Sequence, residues 1–269
     1  MKAIKKDIIE ILQFESLKKD NLCHFSTTIK GGVSVGAYTS LNLGLYSGDQ
    51  IENVVENRNL LSKFLGISTT NLYIPYQTHD DKILIIDDDF LQLTENEREE
   101  KLKGIDALIT DKEGIAIAVT TADCVPILLF DPAKNIIAAV HAGWKGTVAK
   151  IAGKTVAKMV EYYGSKPSDL QAGIAPCISQ ECFEVGEEVV AKFMQAGFPV
   201  DKIGYRNTES GKMHIDLQSA NEIILIEAGL KKVNIEIANL CTYSNPDKFF
   251  SARRQTIHSG RMITGGFIL

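Results

Sequence analysis

Residues 115–147 read IAIAVTTADCVPILLFDPAKNIIAAVHAGWKGT and contain three short apolar runs, each rich in β-branched residues. The runs extend from Ile115 to Val119, from Pro126 to Phe130 and from Ile136 to Val140. Their length and composition predict three buried strands. Turn residues such as Asp131-Pro132 separate the second run from the third, which predicts an antiparallel hairpin.

Reactive side chains follow these predicted strands. Asp123 and Cys124 come after the first strand, and His141 comes after the third. We expect the thiol and the imidazole to lie within reach of one metal ion or of each other. Gly146-Thr147 predicts a helix capped by Thr147, whose N-terminus would stabilise negative charge nearby. The alternative without a functional role is that Cys124 packs in the core as a small hydrophobic residue and that His141 is a buried polar residue whose hydrogen bonds are satisfied.

Composition limits the class of protein. The chain has 269 residues, 45% hydrophobic and 23% charged, and a net charge of −5, so no electrostatic footprint for nucleic acid is present. No apolar run is long enough to span a bilayer. Asp7 and Glu10 interrupt what would be a signal-peptide core, so residues 1–20 are predicted to form an amphipathic helical extension. Five cysteines without an export signal predict reduced thiols in the cytoplasm.

The remaining segments predict one domain. His79 lies in a loop between two extended segments. The helical spacing from Asn53 to Leu65 places Arg58 away from most apolar positions, where it is either solvated or directed into a site. Strands and helices intermix without a linker or repeat, and the central hairpin is antiparallel. We therefore expect a single α+β domain over residues 1–269, built of layered mixed β-sheets flanked by helices.

His79, Cys124 and His141 would together make a three-ligand zinc site with an open fourth position, the pattern of catalytic zinc. Zinc lowers the pKa of bound water to about 7 and would hold Cys124 as a thiolate. Without metal, Cys124 and His141 would instead form the nucleophile and base of a hydrolase. Five histidines are too few for a multinuclear copper cluster of the usual kind. A zinc-stabilised binding module is the non-enzymatic alternative.

Segments from about Ser26 to the C-terminus resemble the YfiH-like family: GGVSVGAYTSLNLG, VENRNLL, QTH, GIDALIT, TTADCVPILLFDP, AAVHAGWKGT, CFEVG and FFSARR. Its members were first called multicopper polyphenol oxidases or laccase-domain proteins, and later purine nucleoside phosphorylases that also deaminate adenosine. The resemblance implies a metal, usually zinc with copper possible, at His79, Cys124 and His141. It also implies an α+β fold shared distantly with Cys/His deamidating toxins, and phosphorolysis of adenosine, inosine and methylthioadenosine.

This chemistry needs an anion pocket and an acid for the departing base. The residues expected to bind phosphate or substrate are Lys30, Arg58, Lys145 and Arg253. The family pattern has an arginine where this chain has Ile29, and the following Lys30 offers a point charge instead of a bidentate contact. Asp123 or Asp106 would serve as the acid if its pKa were raised. No nucleic-acid or membrane partner is expected.

Overall fold

The computed structural model describes residues 1–269. In chain order its strands are β1 (Lys2–Lys6), β2 (Ile9–Gln13), β3 (Leu22–Thr27), β4 (Leu72–Tyr73), β5 (Ile83–Ile85), β6 (Ala107–Thr110), β7 (Ala116–Thr121), β8 (Val125–Asp131), β9 (Ile136–Ala142), β10 (Gln171–Ile174), β11 (Glu184–Val185), β12 (Gly204–Arg206), β13 (Met213–Ile215), β14 (Ile235–Ile237) and β15 (Met262–Ile268). Its α-helices are α1 (Ile51–Leu65), α2 (Asp88–Gln92), α3 (Glu95–Lys101), α4 (Trp144–Val148), α5 (Ile151–Tyr163), α6 (Glu187–Gln195), α7 (Val200–Ile203), α8 (Leu217–Glu227) and α9 (Ala252–Gln255). None of these helices has both the length and the apolarity that crossing a membrane requires.

The strands form two six-stranded mixed sheets and one small sheet. The first sheet has the order β1-β2-β3-β15-β7-β4, the second has the order β14-β10-β8-β9-β6-β5, and the small sheet has the order β11-β13-β12. The predicted hairpin is β8–β9, with Pro126 opposite His141. The first apolar run, β7, belongs to the other large sheet. The chain therefore crosses from the first sheet to the second between β7 and β8.

Side-chain alternation in the central strands makes the two large sheets stack. Leu128 and Phe130 of β8 share a core with Ile117 and Val119 of β7, because these residues face the space between the sheets. The intervening residues of β8 face the opposite side, where they pack with α5, α6 and α8. On the outer face of the first sheet, Ala118 packs with residues of α1. The result is a layered α+β domain, helix–sheet–sheet–helix, as the sequence predicted.

The helix predicted over residues 1–20 is wrong. β1 and β2 form an antiparallel hairpin that turns at Asp7, whose φ is 54°. Ile9 and Ile11 are buried beneath α1 with the period of a strand, whereas Ile8 is 62% exposed. The isoleucine spacing fits a helix as well as a strand. Pairing of β2 with β3 decides between them, because it supplies backbone hydrogen bonds from a distant segment.

The predicted helix start at Thr147 is also wrong. α4 begins at Trp144 with Gly143 as its N-cap, and a second helix, α5, begins at Ile151. Thr147 is buried inside α4, where its hydroxyl accepts a hydrogen bond from the Asn221 amide at 2.9 Å. Because Gly143 adopts the extended cap conformation, the chain enters the helix one turn earlier than the threonine suggested.

Candidate metal and substrate site

Three segments that cross or leave the sheets bring the predicted ligands together. His79 lies in the loop between β4 of the first sheet and β5 of the second, Cys124 lies in the crossing from β7 to β8, and His141 lies near the end of β9. One ligand atom from each residue lies within 4.8 Å of the other two. His141 is buried, Cys124 is half-buried and His79 is exposed, so the group opens outwards.

The β8–β9 register explains why a glycine follows His141. Continuing the pairing beyond Val125 and Ala142 places Cys124 beside Gly143. A Cβ atom at position 143 would lie 2.9 Å from the Cys124 Sγ and 3.2 Å from the His79 Cδ2. Glycine therefore leaves the space in which the thiol and the imidazole approach each other.

Asp106 holds two of the three ligands from a fully buried position. One carboxylate oxygen, Oδ1, is 2.7 Å from the His141 Nδ1. The same carboxylate accepts backbone hydrogen bonds from Thr78, His79 and Asp80 at 2.9–3.2 Å. A carboxylate on one ring nitrogen fixes the tautomer and orientation of a metal-binding histidine. Asp106 thus sets both the His141 ring and the loop that carries His79.

The electrostatics favour ligation by Cys124. Burial raises the pKa of the Cys124 thiol, but the charge of His141 and hydrogen bonds with His141 and His79 outweigh burial and lower that pKa to about 6. Burial lowers the pKa of His141, but the Cys124 thiolate and Asp106 outweigh it and raise that pKa to about 9. Without metal, the two side chains therefore form a thiolate–imidazolium pair at neutral pH.

The donor set fits a transition metal. A thiolate and two imidazoles are ligands that suit zinc and copper alike. Because Asp106 occupies Nδ1 of His141, the ring offers Nε2 as its free nitrogen. Three protein ligands with an exposed side match catalytic sites, whereas structural zinc sites are closed by a fourth protein ligand.

A cavity of about 800 Å³ lies against the three ligands. Three arginines, Arg58, Arg98 and Arg261, line it, and Arg98 donates to the Tyr73 hydroxyl at 3.1 Å. Arg58 donates from Nε and Nη2 to the Leu43 carbonyl at 3.1 and 2.9 Å. Burial lowers the pKa of Arg58 to about 10, so this side chain still carries its charge at neutral pH. Neither the Arg58 nor the Arg261 guanidinium forms a salt bridge with a carboxylate, so both half-buried charges are available to an anion in the cavity.

Of the four residues predicted to bind phosphate or substrate, only Arg58 lines this cavity. The other three lie outside its lining and make local contacts. The Lys30 ammonium is 3.2 Å from Glu10, the Lys145 ammonium lies 5.8 Å from the Trp144 ring centroid, and the Arg253 guanidinium lies 5.5 Å from the Phe183 ring centroid. Their side chains are therefore already partnered on the surface.

Asp123 is held by the C-terminal part of the chain and does not line the cavity. Its oxygens accept hydrogen bonds from the Thr242 hydroxyl at 2.6 Å, the Ser251 hydroxyl at 3.0 Å and the Arg253 amide at 2.6 Å. The residue has a positive φ of 88°, which the three bonds help to maintain. Asp123 thus ties the FFSARR segment to the crossing that carries Cys124, and its oxygens are occupied.

Sequence reasoning missed two residues of the site. Gln77 donates to the Thr120 carbonyl at 2.9 Å and accepts from the Thr120 amide at 2.7 Å, which fastens the His79 loop to β7. Its only signal was membership of the QTH segment. Arg261 lies immediately before β15 and carried no signal, because an isolated arginine before a strand has no distinguishing pattern.

The chain matches known proteins over nearly its whole length. The family described as multi-copper polyphenol oxidoreductase laccase matches residues 23–268. A purine nucleoside phosphorylase of Bacteroides thetaiotaomicron is 44% identical over 266 residues, covering 98% of both proteins. An adenosine deaminase, RL5, from an unknown prokaryotic organism is 44% identical over 241 residues, covering 90% of this chain and 92% of the relative.

Solved structures share the fold. YlmD from Geobacillus stearothermophilus superposes with a TM-score of 0.89 at 29% identity, covering 98% of this chain and 97% of that chain. The Bacillus licheniformis hypothetical protein YfiH superposes with a TM-score of 0.85 at 31% identity, covering 92% and 93% of the two chains. With the same layers and a match over residues 23–268, this chain belongs to the multi-copper polyphenol oxidoreductase laccase family, the YfiH-like family that its segments resemble.

Proposed function

We propose that this chain is a metal-dependent enzyme of purine nucleosides, a phosphorylase of adenosine, inosine and methylthioadenosine that also deaminates adenosine. The observation that carries the proposal is the convergence of His79, Cys124 and His141 on a cavity of about 800 Å³ that is also lined by Arg58 and Arg261. The names of two relatives, each 44% identical, support the two reaction classes.

His79, Cys124 and His141 would hold zinc, which supplies a Lewis acid and lowers the pKa of a coordinated water to about 7. The chain prepares this position before any metal arrives. Cys124 is already a thiolate near neutral pH, so the one proton that metal binding must displace from this pair is that of His141. Asp106 keeps the His141 ring oriented, and Gly143 keeps the space beside the thiol open.

Arg58 and Arg261 would bind the phosphate. Phosphorolysis forms a bond from a phosphate oxygen to the glycosidic carbon and breaks the bond from that carbon to the purine nitrogen, which takes up a proton. Arg58 is fixed by its two bonds to the Leu43 carbonyl, and Arg261 by hydrogen bonds to Ser259. Their charges are in place before the reaction, so stabilising the anion needs little reorganisation. In this proposal Lys30 contributes nothing directly, because it lies outside the cavity and is paired with Glu10.

A two-product assay tests the proposal. Purified protein is incubated with adenosine, with and without phosphate, and adenine and inosine are quantified separately. We expect adenine to form only with phosphate and inosine to form without it; with phosphate, part of the inosine is converted to hypoxanthine, which is therefore counted with inosine as the deamination product. Cys124→Ala should abolish both products, whereas Cys23→Ala, which removes a thiol of the first sheet, should not. If neither product exceeds the Cys124→Ala background, the proposed function is wrong.

A metal-free cysteine hydrolase is the second candidate. It is favoured by the lowered pKa of Cys124 and the raised pKa of His141, which together resemble an activated nucleophile and its base. Metal analysis combined with alkylation separates the two candidates. Stoichiometric zinc, with Cys124 alkylated only after a chelator is added, would contradict the hydrolase. Absence of metal with rapid alkylation would contradict the nucleoside enzyme.

Copper-dependent phenol oxidation is a third candidate, favoured by the description of the matching family. The donors of His79, Cys124 and His141 would suit copper, but they form the one group of three clustered potential ligands in the chain. Oxidation of a catechol by the copper-loaded protein, compared with the zinc-loaded protein, tests this candidate directly.

A further inference from the structure

Two tyrosines are exposed in the wall of the cavity and have no role in the chemistry proposed above. Tyr46 is 69% exposed and Tyr76 is 43% exposed, and both line the cavity that adjoins the three metal-binding residues. Their rings meet edge to face, with centroids 4.4 Å apart and planes inclined by 65°. Together they form an aromatic corner that is open to the cavity.

The backbone beneath both rings is well held. The Tyr76 amide donates to the Leu102 carbonyl at 3.0 Å, and its carbonyl accepts from the Gly104 amide at 2.8 Å. Next to Tyr46, the Ser47 hydroxyl donates to the Gly44 carbonyl at 2.8 Å and accepts from the Asn42 amide at 2.8 Å. The exposure of the rings is therefore a property of their positions and not of unpaired backbone.

A third tyrosine of the same region, Tyr73, packs in the protein core and serves as a comparison. Tyr73 is only 7% exposed and meets the Phe90 ring edge to face, with centroids 5.3 Å apart. Its hydroxyl accepts from Arg98 at 3.1 Å. The ring of Tyr73 is therefore packed against other residues and its hydroxyl is hydrogen-bonded. Tyr46 and Tyr76, in contrast, leave aromatic surface available to a ligand.

The chain positions of the pair connect it to both halves of the site. Tyr76 lies three residues before His79, in the segment that Gln77 fastens to β7. Tyr46 lies three residues after Leu43, whose carbonyl holds Arg58. A flat ligand on this corner would therefore lie in the same cavity as the metal ligands, Arg58 and Arg261.

We propose that Tyr46 and Tyr76 form the purine-base subsite, with the base stacked on the Tyr76 ring and its edge against Tyr46. This inference rests on the proposed function and adds to it the part of the substrate that the two rings recognise. Every nucleobase has an aromatic face, and stacking on an aromatic side chain contributes about 1–3 kcal/mol per base. Because the planes of the two rings are inclined by 65°, a base stacked on one ring would present its edge to the other, and aromatic rings favour both arrangements.

Steady-state kinetics of the metal-loaded enzyme test the subsite. Tyr76→Ala should raise the KM for adenosine by about 5- to 150-fold, the equivalent of the stacking contribution, with little change in kcat. Tyr46→Ala should raise it in the same direction by less. Tyr76→Phe keeps the ring and should restore most of the adenosine affinity that Tyr76→Ala loses. The KM for phosphate and the metal content should stay the same in all three variants.

Binding of ribose 1-phosphate, which lacks the base, is the matched control. We expect Tyr76→Ala to bind it as the wild type does. The subsite is contradicted if the two alanine variants keep the wild-type KM for adenosine, or if their affinity for ribose 1-phosphate falls equally. Failure of the proposed function is a different result, because the wild type would then form neither adenine nor inosine; the inference would fall with it.

Discussion

Two buried histidines, one in each of the stacked sheets, show how differently the same side chain is used. His24 in β3 is 2% exposed; its Nε2 accepts from the Phe14 amide at 2.9 Å, and its Nδ1 has no partner. His141 in β9 is 3% exposed, has Asp106 2.7 Å from Nδ1, and lies beside Cys124. The two rings are equally buried but have different partners.

The partners determine the charge. Burial lowers the pKa of His24 to about 4, so this ring is neutral and serves packing. Burial also lowers the pKa of His141, yet Cys124 and Asp106 outweigh it and raise that pKa to about 9. Burial by itself therefore says nothing about function. A carboxylate on one side and a thiol on the other convert a buried histidine into a candidate metal ligand.

Removing the thiol should have the largest effect on this contrast. We expect Cys124→Ala to lower metal affinity by more than about 100-fold, since loss of an outer partner alone costs about 10- to 100-fold. Metal content after dialysis, measured by mass spectrometry, checks this. His24→Gln is the control and should retain the wild-type metal content. Stoichiometric metal in Cys124→Ala would show that the thiol beside His141 is not a required metal ligand and would contradict this prediction.

The neutral state of His24 should make the folded protein less stable at acid pH. Between pH 6.5 and about 4 the unfolded chain binds a proton at His24 that the folded chain does not, so stability present above pH 6.5 is lost as the pH falls. At about 1.4 kcal/mol per pH unit this contribution amounts to about 3 kcal/mol. Denaturant unfolding of metal-free protein at pH 7 and pH 4.5 measures it. We expect His24→Gln to flatten the pH dependence and the exposed His258→Gln to leave it unchanged; equal slopes in all three proteins would contradict the neutral His24.

The carboxylate that orients His141 should have an intermediate effect. Asp106→Asn replaces an acceptor that binds His141 and three backbone amides. We expect metal affinity to fall by about 10- to 100-fold, measured by competition with a chromogenic chelator. Asp131→Asn is the matched control, because Asp131 is also buried but accepts from the turn amides of Ala133 and Lys134. If Asp106→Asn kept the wild-type metal affinity, the carboxylate beside His141 would not be what distinguishes it from His24 as a metal ligand.

Substitutions of the basic residues Arg58 and Lys30 should have the smallest effects, and these too should depend on the partners of each side chain. Arg58→Lys loses one of the two hydrogen bonds to the Leu43 carbonyl that fix this half-buried charge and the planar fork that can bind phosphate, so we expect the KM for phosphate to rise about tenfold. Lys30→Ala should change it by no more than about twofold, because Lys30 is paired with Glu10 outside the cavity. Phosphate titration of the adenosine reaction measures both. A larger effect of Lys30→Ala than of Arg58→Lys would show that the anion binds near the glycine loop instead.

The region around Cys124 was the most predictable part of the site. The apolar runs predicted β8 and β9 and the turn between them, and the register of that hairpin places Cys124 near His141. Both ends of the hairpin are close in sequence, so local patterns contain most of the needed information. The N-terminus was less predictable, because the isoleucines of residues 4–11 satisfy helical and extended periods until β3 provides the partner strand.

The sequence by itself determined the apolar strands, the central hairpin, the approach of Cys124 to His141 and the family to which the chain belongs. The sequence named His79 as a ligand and Asp106 as a candidate acid, but only the tertiary structure shows that His79 meets Cys124 and His141, that Asp106 orients His141 and that Arg261 lines the same cavity. Asp106 reaches His141 because β6 pairs with β9, where Ala107 lies opposite Val140. His79 and Arg261 come from segments brought together by the stacking of two sheets. Such contacts join residues far apart in the chain, and no local pattern of side chains specifies which distant segments will meet.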